Sequence, residues 1–196
     1  AVDQTPDSVI VHYQTAAVNK LQRLLGLKAP EGLRSFITLP ERERPVIFVT
    51  HLEHHSNHTS WYETIADVVV VPPDERGVVS LEALEAQLHE YRDRPVKIGA
   101  FSACSNVTGI FTPYHAMARL MHRAGGVAII DFAASAPYVA IDMHPADNPE
   151  GYLDAVLFSP HKFLGGPGAA GVIIFNRALY HNSVPDDSGG GTVAWT

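Results

Sequence analysis

Short β-rich runs alternating with amphipathic segments put the tightest constraint on what this chain can fold into. Pro45 to Thr50, Asp67 to Val71, Val96 to Ser102 and the run Gly126 to Ile130, ended by Asp131, read as strands. Between them lie a helical stretch from Asn57 to Ile65 and a helix capped by Ser80 that runs to Tyr91, with Leu81, Leu84 and Leu88 on one face. A third helix takes Thr112 as N-cap and Pro113 as first residue, and ends before Gly125. Upstream, Ser8 to Val11 reads as a strand and Thr15 to Leu27 as a helix with Val18, Leu21, Leu24 and Leu25 at helical spacing. This rhythm demands parallel crossovers and a sheet layered between helices. The unbroken valines of 67–71 predict a strand covered on both faces.

One segment breaks the rhythm. Ala155 to Phe158 and Ala169 to Phe175 both read as strands, but the stretch 160–168 between them is shorter than the dozen or more residues a parallel crossover needs. The second strand is therefore expected to run antiparallel. The predicted fold class is α/β: three-layer, a mostly parallel sheet flanked by helices, with one antiparallel strand after the lysine loop.

A chain of 196 residues, 46% hydrophobic and 18% charged, is expected to form one globular domain spanning 1–196. A formal charge of −7 leaves no basic footprint, so nucleic acid is not an expected partner. The apolar runs fall well short of the ~20 residues of a membrane helix, so no membrane partner is expected either. The single cysteine, Cys104, rules out an internal disulfide framework and points to a cytoplasmic protein. Ala1 enters a strand almost at once and Thr196 follows soon after Gly189-Gly190-Gly191, which reads as an incomplete domain.

In open parallel sheets, ligands sit beyond the carboxyl ends of the strands. His51 to His55, Ser102 to Asn106, Asp131 and Ser159 to Lys162 all follow strands directly and should share one rim. Lys162 stands out there, between a hydroxyl, an imidazole and the glycine turn Gly165-Gly166-Pro167-Gly168. A lysine so placed suits a Schiff base to an aldehyde cofactor carrying a phosphate.

These pieces together resemble the class V aminotransferase superfamily of pyridoxal-phosphate enzymes, nearest to its cysteine desulfurase and selenocysteine lyase group. The matching stretches are Glu53-His54-His55-Ser56-Asn57 with Trp61, Ser105-Asn106-Val107-Thr108-Gly109, Asp131-Phe132-Ala133-Ala134, and Ser159-Pro160-His161-Lys162. The resemblance runs from about Thr15 to Phe175 and implies a large-domain core, without the family's N-terminal segment and C-terminal small domain. It implies pyridoxal 5'-phosphate as cofactor, held through a Schiff base by Lys162, with Asp131 on the pyridine nitrogen and His54 stacked on the ring. Asn106 would lie beside an amino-acid substrate, and Ser159, His161 and Thr15 would hold the phosphate. The family's sites lie at a homodimer interface, so a homodimer is implied too. Lys162, His54 and Asp131 would be the catalytic residues of a transaminase, desulfurase or lyase.

The chain also departs from the family. Where relatives place a glycine-rich turn before the position of Thr15, it reads Val11-His12-Tyr13-Gln14, and Ala134 stands where desulfurases have glutamine. These departures keep a second reading open: a degenerate or truncated relative that serves as a non-catalytic cofactor-binding or assembly module. Other signals are weaker. Gly166-Pro167-Gly168-Ala169-Ala170-Gly171 has dinucleotide-motif spacing, but a strand follows it where a helix should start. His51, His54, His55 and His58 are dense, yet have no nearby carboxylate except Glu53, and no metal is expected. Cys104 reads as a buried thiol, Met117 and Met121 as core, and Asp142 as a turn residue after a strand-like stretch Tyr138 to Ile141.

Overall fold

The computed structural model describes the backbone of residues 8–12 and 14–186, and side chains from Ala16 onward. Among the described residues there are seven strands: β1 (Ser8–His12), β2 (Val46–Thr50), β3 (Asp67–Val71), β4 (Lys97–Ser102), β5 (Val127–Asp131), β6 (Ala155–Phe158) and β7 (Gly171–Phe175). The helices are α1 (Gln14–Leu24), α2 (Glu31–Arg34), α3 (His55–Tyr62), α4 (Leu81–Glu90) and α5 (Tyr114–Arg123). One sheet carries all seven strands in the order β1-β7-β6-β5-β4-β2-β3. Neighbours pair in parallel except around β7, which is antiparallel to both β6 and β1. The short connection between β6 and β7 thus has the consequence its length demands.

Alternate residues along each central strand feed two separate cores, which is what a sheet covered on both faces requires. Phe48, Phe101, Ala128, Ile130 and Val156 pack with Leu84, Leu88, Met117 and Met121 from α4 and α5. Ile47, Val49, Ile98, Ala100, Ile129 and Leu157 pack with Val18, Leu21 and Trp61 from α1 and α3 on the other face. Among the described residues, no helix is long and apolar enough to cross a membrane.

Several boundaries differ from expectation for local reasons. Strand β3 lies at the sheet edge with Val68 and Val69 only half-buried and Val70 exposed, so its valines reflect β propensity rather than cover on both faces. Thr112 does not cap α5. Its hydroxyl donates to the Ser102 carbonyl at 2.7 Å and its N–H to that of Ala103, leaving Pro113 as N-cap. Helix α3 starts two residues early because the His54 ring caps it, and stops at Tyr62, beyond which the Thr64 hydroxyl takes the carbonyl of Trp61. Helix α1 spans Gln14–Leu24 rather than Thr15 to Leu27, with Gly26 at φ 69° beyond its end. The final strand begins at Gly171, not Ala169. Tyr138 to Ile141 leave a turn for irregular backbone and form no strand, and Asp142 accepts a hydrogen bond from the His144 N–H.

Candidate active site

The carboxyl ends of β2, β4, β5 and β6 face one rim, and the first turn beyond each brings a polar cluster to it. β5 ends on Asp131, which is 3% exposed and accepts a hydrogen bond from the Ala133 N–H at 2.8 Å. Ser102, the last residue of β4, pairs in register with Asp131, and the turn beyond it carries Cys104 and Asn106. That turn is tied by Gly109 N–H to the Ser105 carbonyl and Ser105 N–H to that of Ile110. After β6, Pro160–Lys162 form a single 3-10 turn, with Lys162 N–H bonded to the Ser159 carbonyl at 3.0 Å. Gly166 folds back so closely that any β-carbon there would strike the Pro160 carbonyl. The turn that presents Lys162 is therefore built for glycine at that position.

His54, Asn106, Asp131 and Lys162 line one recess, and Ser102, Cys104, Ala133 and Ala134 complete its walls. Nδ1 of His54 accepts from the Ser56 N–H at 3.2 Å and lies 2.7 Å from its hydroxyl. A neutral His54 ring therefore carries its proton on Nε2. Ser159 is buried and His161 exposed; both flank Lys162 in its turn but do not line the recess. Thr15 is the second residue of α1, and its side chain lies outside the described residues, as does Tyr13. The backbone register nonetheless sets the α1 amino terminus near the lysine turn. Phe158 of β6 pairs with Val172, the adjacent Gly171 pairs with His12, and α1 starts two residues beyond His12.

Other sequence candidates find ordinary duties. Burial raises the Cys104 thiol pKa, which makes it a weaker nucleophile despite its place on the recess wall. His51 Nε2 bonds the Gly77 carbonyl at 2.9 Å, and His58 stands 3.3 Å from the Tyr62 hydroxyl. Among the described residues no cluster of His, Cys, Asp or Glu is arranged to hold a metal. The glycine run after Lys162 opens into β7 and not into a helix, the wrong context for a dinucleotide.

Glu53 is the site residue that residue-by-residue reading passed over. It sits inside a quoted motif, but charged side chains are seldom buried and nothing local marks this one. It is buried, with 8% of its surface exposed, and burial pushes its carboxyl up to about 7 against the opposing pull of hydrogen bonds from Ser102, Thr50 and Asn57.

A family model for aminotransferase class V matches residues 34–196. The chain belongs to that family. It is 35% identical over 194 residues, 97% of this chain, to a cysteine desulfurase of Synechococcus elongatus, and covers 28% of that protein. The chain thus spans less than a third of that relative. An apo cysteine desulfurase structure from Thermococcus onnurineus superposes with a TM-score of 0.69 at 20% identity, covering 94% of this chain and 42% of that one. A serine palmitoyltransferase of S. paucimobilis, solved with a PLP–myriocin adduct, gives a TM-score of 0.63 at 17% identity over 86% of this chain and 38% of that one. These likenesses fix the sheet architecture as that of pyridoxal-phosphate enzymes.

Pyridoxal phosphate is the cofactor this family implies, and the donor set at the recess fits it. A primary amine, a buried carboxylate and an imidazole are the groups that an aldehyde, a pyridine nitrogen and an aromatic face call for. The recess is narrow, about 10 Å3. Of its walls His54 and Lys162 are exposed, while Asp131 is buried and bonded to the Ala133 backbone.

Proposed function

We propose that this chain is the cofactor-binding large domain of a pyridoxal-phosphate enzyme acting on an amino acid, in the manner of a cysteine desulfurase or a related lyase or transaminase. The observation that carries the reading is the meeting of Lys162, Asp131, His54 and Asn106 on one recess at the carboxyl ends of the strands. When bound, the cofactor supplies an electron sink for the substrate α-carbon.

The chain's own residues prepare that chemistry. The Lys162 amine would hold the cofactor's aldehyde carbon and would serve to move a proton at the substrate α-carbon. The buried Asp131 carboxylate would favour a protonated pyridine nitrogen, in a site where charge acts through little water. His54 would lie against the cofactor ring. Ser159, His161 and the α1 amino terminus would take the phosphate, where the helix dipole favours an anion. A second copy of the chain is the proposed partner. Val107, Phe111, Tyr138 and Leu164 are exposed apolar side chains on the turns around the same rim, and a second copy seated there would cover them.

The alternative, a cofactor-binding module without turnover, is favoured by Ala134, which offers the cofactor ring no hydrogen bond from the recess wall. Adding pyridoxal phosphate, reducing with borohydride and mapping the modified peptide tests the shared part of both readings. Lys162 should be the dominant site. The other lysines are engaged within the chain: Lys20 is ion-paired to Asp186, and Lys97 donates to the carbonyls of Arg92 and Arg94. Lys28 bonds Asn19. Labelling spread evenly over the four lysines would overturn the proposal. Labelling confined to Lys162 with no turnover of any amino acid would select the module.

A further inference from the structure

Behind the recess lies a hydrogen-bond network centred on Glu53, which is not itself one of the walls. Oε1 of Glu53 accepts from the Thr50 N–H at 3.2 Å and the Thr50 hydroxyl at 2.8 Å. Oε2 accepts from Asn57 Nδ2 at 2.9 Å and lies 2.7 Å from Ser102 Oγ. Asn57 is fixed in turn, since its Oδ1 accepts from Trp61 Nε1 and its Nδ2 also reaches the Ala100 carbonyl. One carboxyl thus ties the end of β2, the first turn of α3 and the end of β4 together. Two of the tied elements reach the recess directly. His54 is the next residue in the chain, and Ser102 is itself a wall.

We propose that Glu53 is a positioning residue for the cofactor site, holding His54 in place and setting which way the Ser102 hydroxyl directs its proton. The inference rests on the pyridoxal-phosphate reading of the recess.

The mechanism follows from counting donors and acceptors. The Thr50 oxygen accepts from the Leu52 N–H at 3.1 Å, and its own proton goes to Glu53. The Thr50 N–H and Asn57 Nδ2 can only donate. Ser102 is the partner able to change role. With Glu53 ionised, the Ser102 O–H donates to Oε2 and only its lone pairs remain for the recess. With Glu53 protonated on Oε2, the acid donates to Ser102 Oγ, and the hydroxyl proton is free to turn toward the recess. Burial and the four hydrogen bonds oppose each other, which sets this exchange near neutral pH, about 7. The contacts of Glu53 from β2, α3 and β4 are the uncharged Thr50, Asn57 and Ser102. The ionisable groups that adjoin them are His54, next in sequence, and Asp131, paired with Ser102 on β5.

The test begins with the whole chain and no added cofactor, following the Glu53 carboxyl by carbon-13 NMR against pH. A midpoint near 7 is expected, and Ser102→Ala should move it upward because a hydrogen bond favouring the ionised form is lost. A midpoint near 4.5, or one indifferent to Ser102→Ala, overturns the coupling. Pyridoxal phosphate capture on Lys162 is then measured against pH. Glu53→Ala should weaken capture roughly tenfold, the scale on which removing a support behind a ligand residue acts. Glu53→Gln should restore much of that affinity but lose the inflection near 7 seen with the native chain. An inflection that persists in Glu53→Gln refutes the positioning role, because a purely structural glutamine would leave the pH profile unchanged. If either variant fails to fold, the NMR midpoints of the native chain and Ser102→Ala still decide. Failure of all capture on Lys162 would sink the cofactor reading instead, and the cofactor-free titration would still judge the Glu53–Ser102 coupling.

Discussion

At the amino-terminal end of the strands, charged side chains answer one another. Asp154, 5% exposed just before β6, accepts from the Ala128 N–H and from His122 Nε2, both at 2.8 Å. Asp67 at the start of β3 is held between Arg44 at 2.7 Å and Arg94 at 2.8 Å. At the opposite rim, among the described residues, the Lys162 amine, the Asn106 amide and the His161 ring have no protein partner, and the surrounding apolar side chains are exposed. The two ends therefore differ in their exposed groups: charged side chains are paired at one, whereas Lys162, Asn106 and His161 stand exposed at the other. Burial alone does not distinguish the ends, since Asp131 and Asp154 are equally hidden. Both accept hydrogen bonds from their own chain, Asp131 from the Ala133 N–H and Asp154 from the Ala128 N–H, but Asp131 alone lines the recess.

Removing a carboxylate at each end should expose that difference most strongly. Asp154→Ala leaves the His122 cation and the Ala128 N–H without their acceptor, and should cost about 3–5 kcal/mol of stability. Urea denaturation would measure it, while borohydride labelling of the folded fraction at Lys162 stays unchanged. Loss of labelling in that folded fraction would break the division between the two ends. Asp131→Ala should do the reverse: a small change in urea midpoint, with pyridoxal phosphate retention weakened by about 2 kcal/mol or more, roughly thirtyfold. Equilibrium dialysis against the cofactor would check it, and unchanged retention would remove Asp131 from the site.

A smaller effect is expected from pH. Both ring nitrogens of His122 face acceptors, the Glu150 carbonyl at 2.7 Å and Asp154 Oδ2 at 2.8 Å, so both carry protons. Burial pulls this imidazole down, but the bonds to Asp154 and the Glu150 carbonyl outweigh it, and the net shift is upward. A pKa raised in the folded state gives stability that is complete below about 6.5 and drains away as pH rises through the folded value. Glu53 acts in the same direction lower down: its folded value of about 7 exceeds the usual 4.5, so stability falls as pH rises between them. Thermal melts from pH 5 to 9 should show the decline, and His122→Gln should flatten its upper part. A melt temperature that rises across pH 7 to 9 in the native chain would contradict the double-donor assignment of His122.

Strand order along the chain, the antiparallel turn of β7 and the gathering of His54, Asn106, Asp131 and Lys162 were all legible before any coordinates. Each follows from local period or connection length: alternation of β runs with amphipathic helices dictates parallel crossovers, and a parallel sheet places every βα turn at one end. What sequence leaves open depends on neighbours. Valines at 67–71 suit a buried strand and an edge strand alike, and only the sheet order decides between them. Thr112 has the chemistry of a cap, yet the Ser102 and Ala103 carbonyls offer its hydroxyl and N–H nearer partners. Glu53 shows the limit most clearly. Its importance comes from Ser102, a residue 49 positions away that the parallel pairing of β2 with β4 brings within 2.7 Å. Periodicity is written residue by residue in the chain, whereas desolvation of a carboxyl depends on everything packed around it, and that exists only once the sheet has closed.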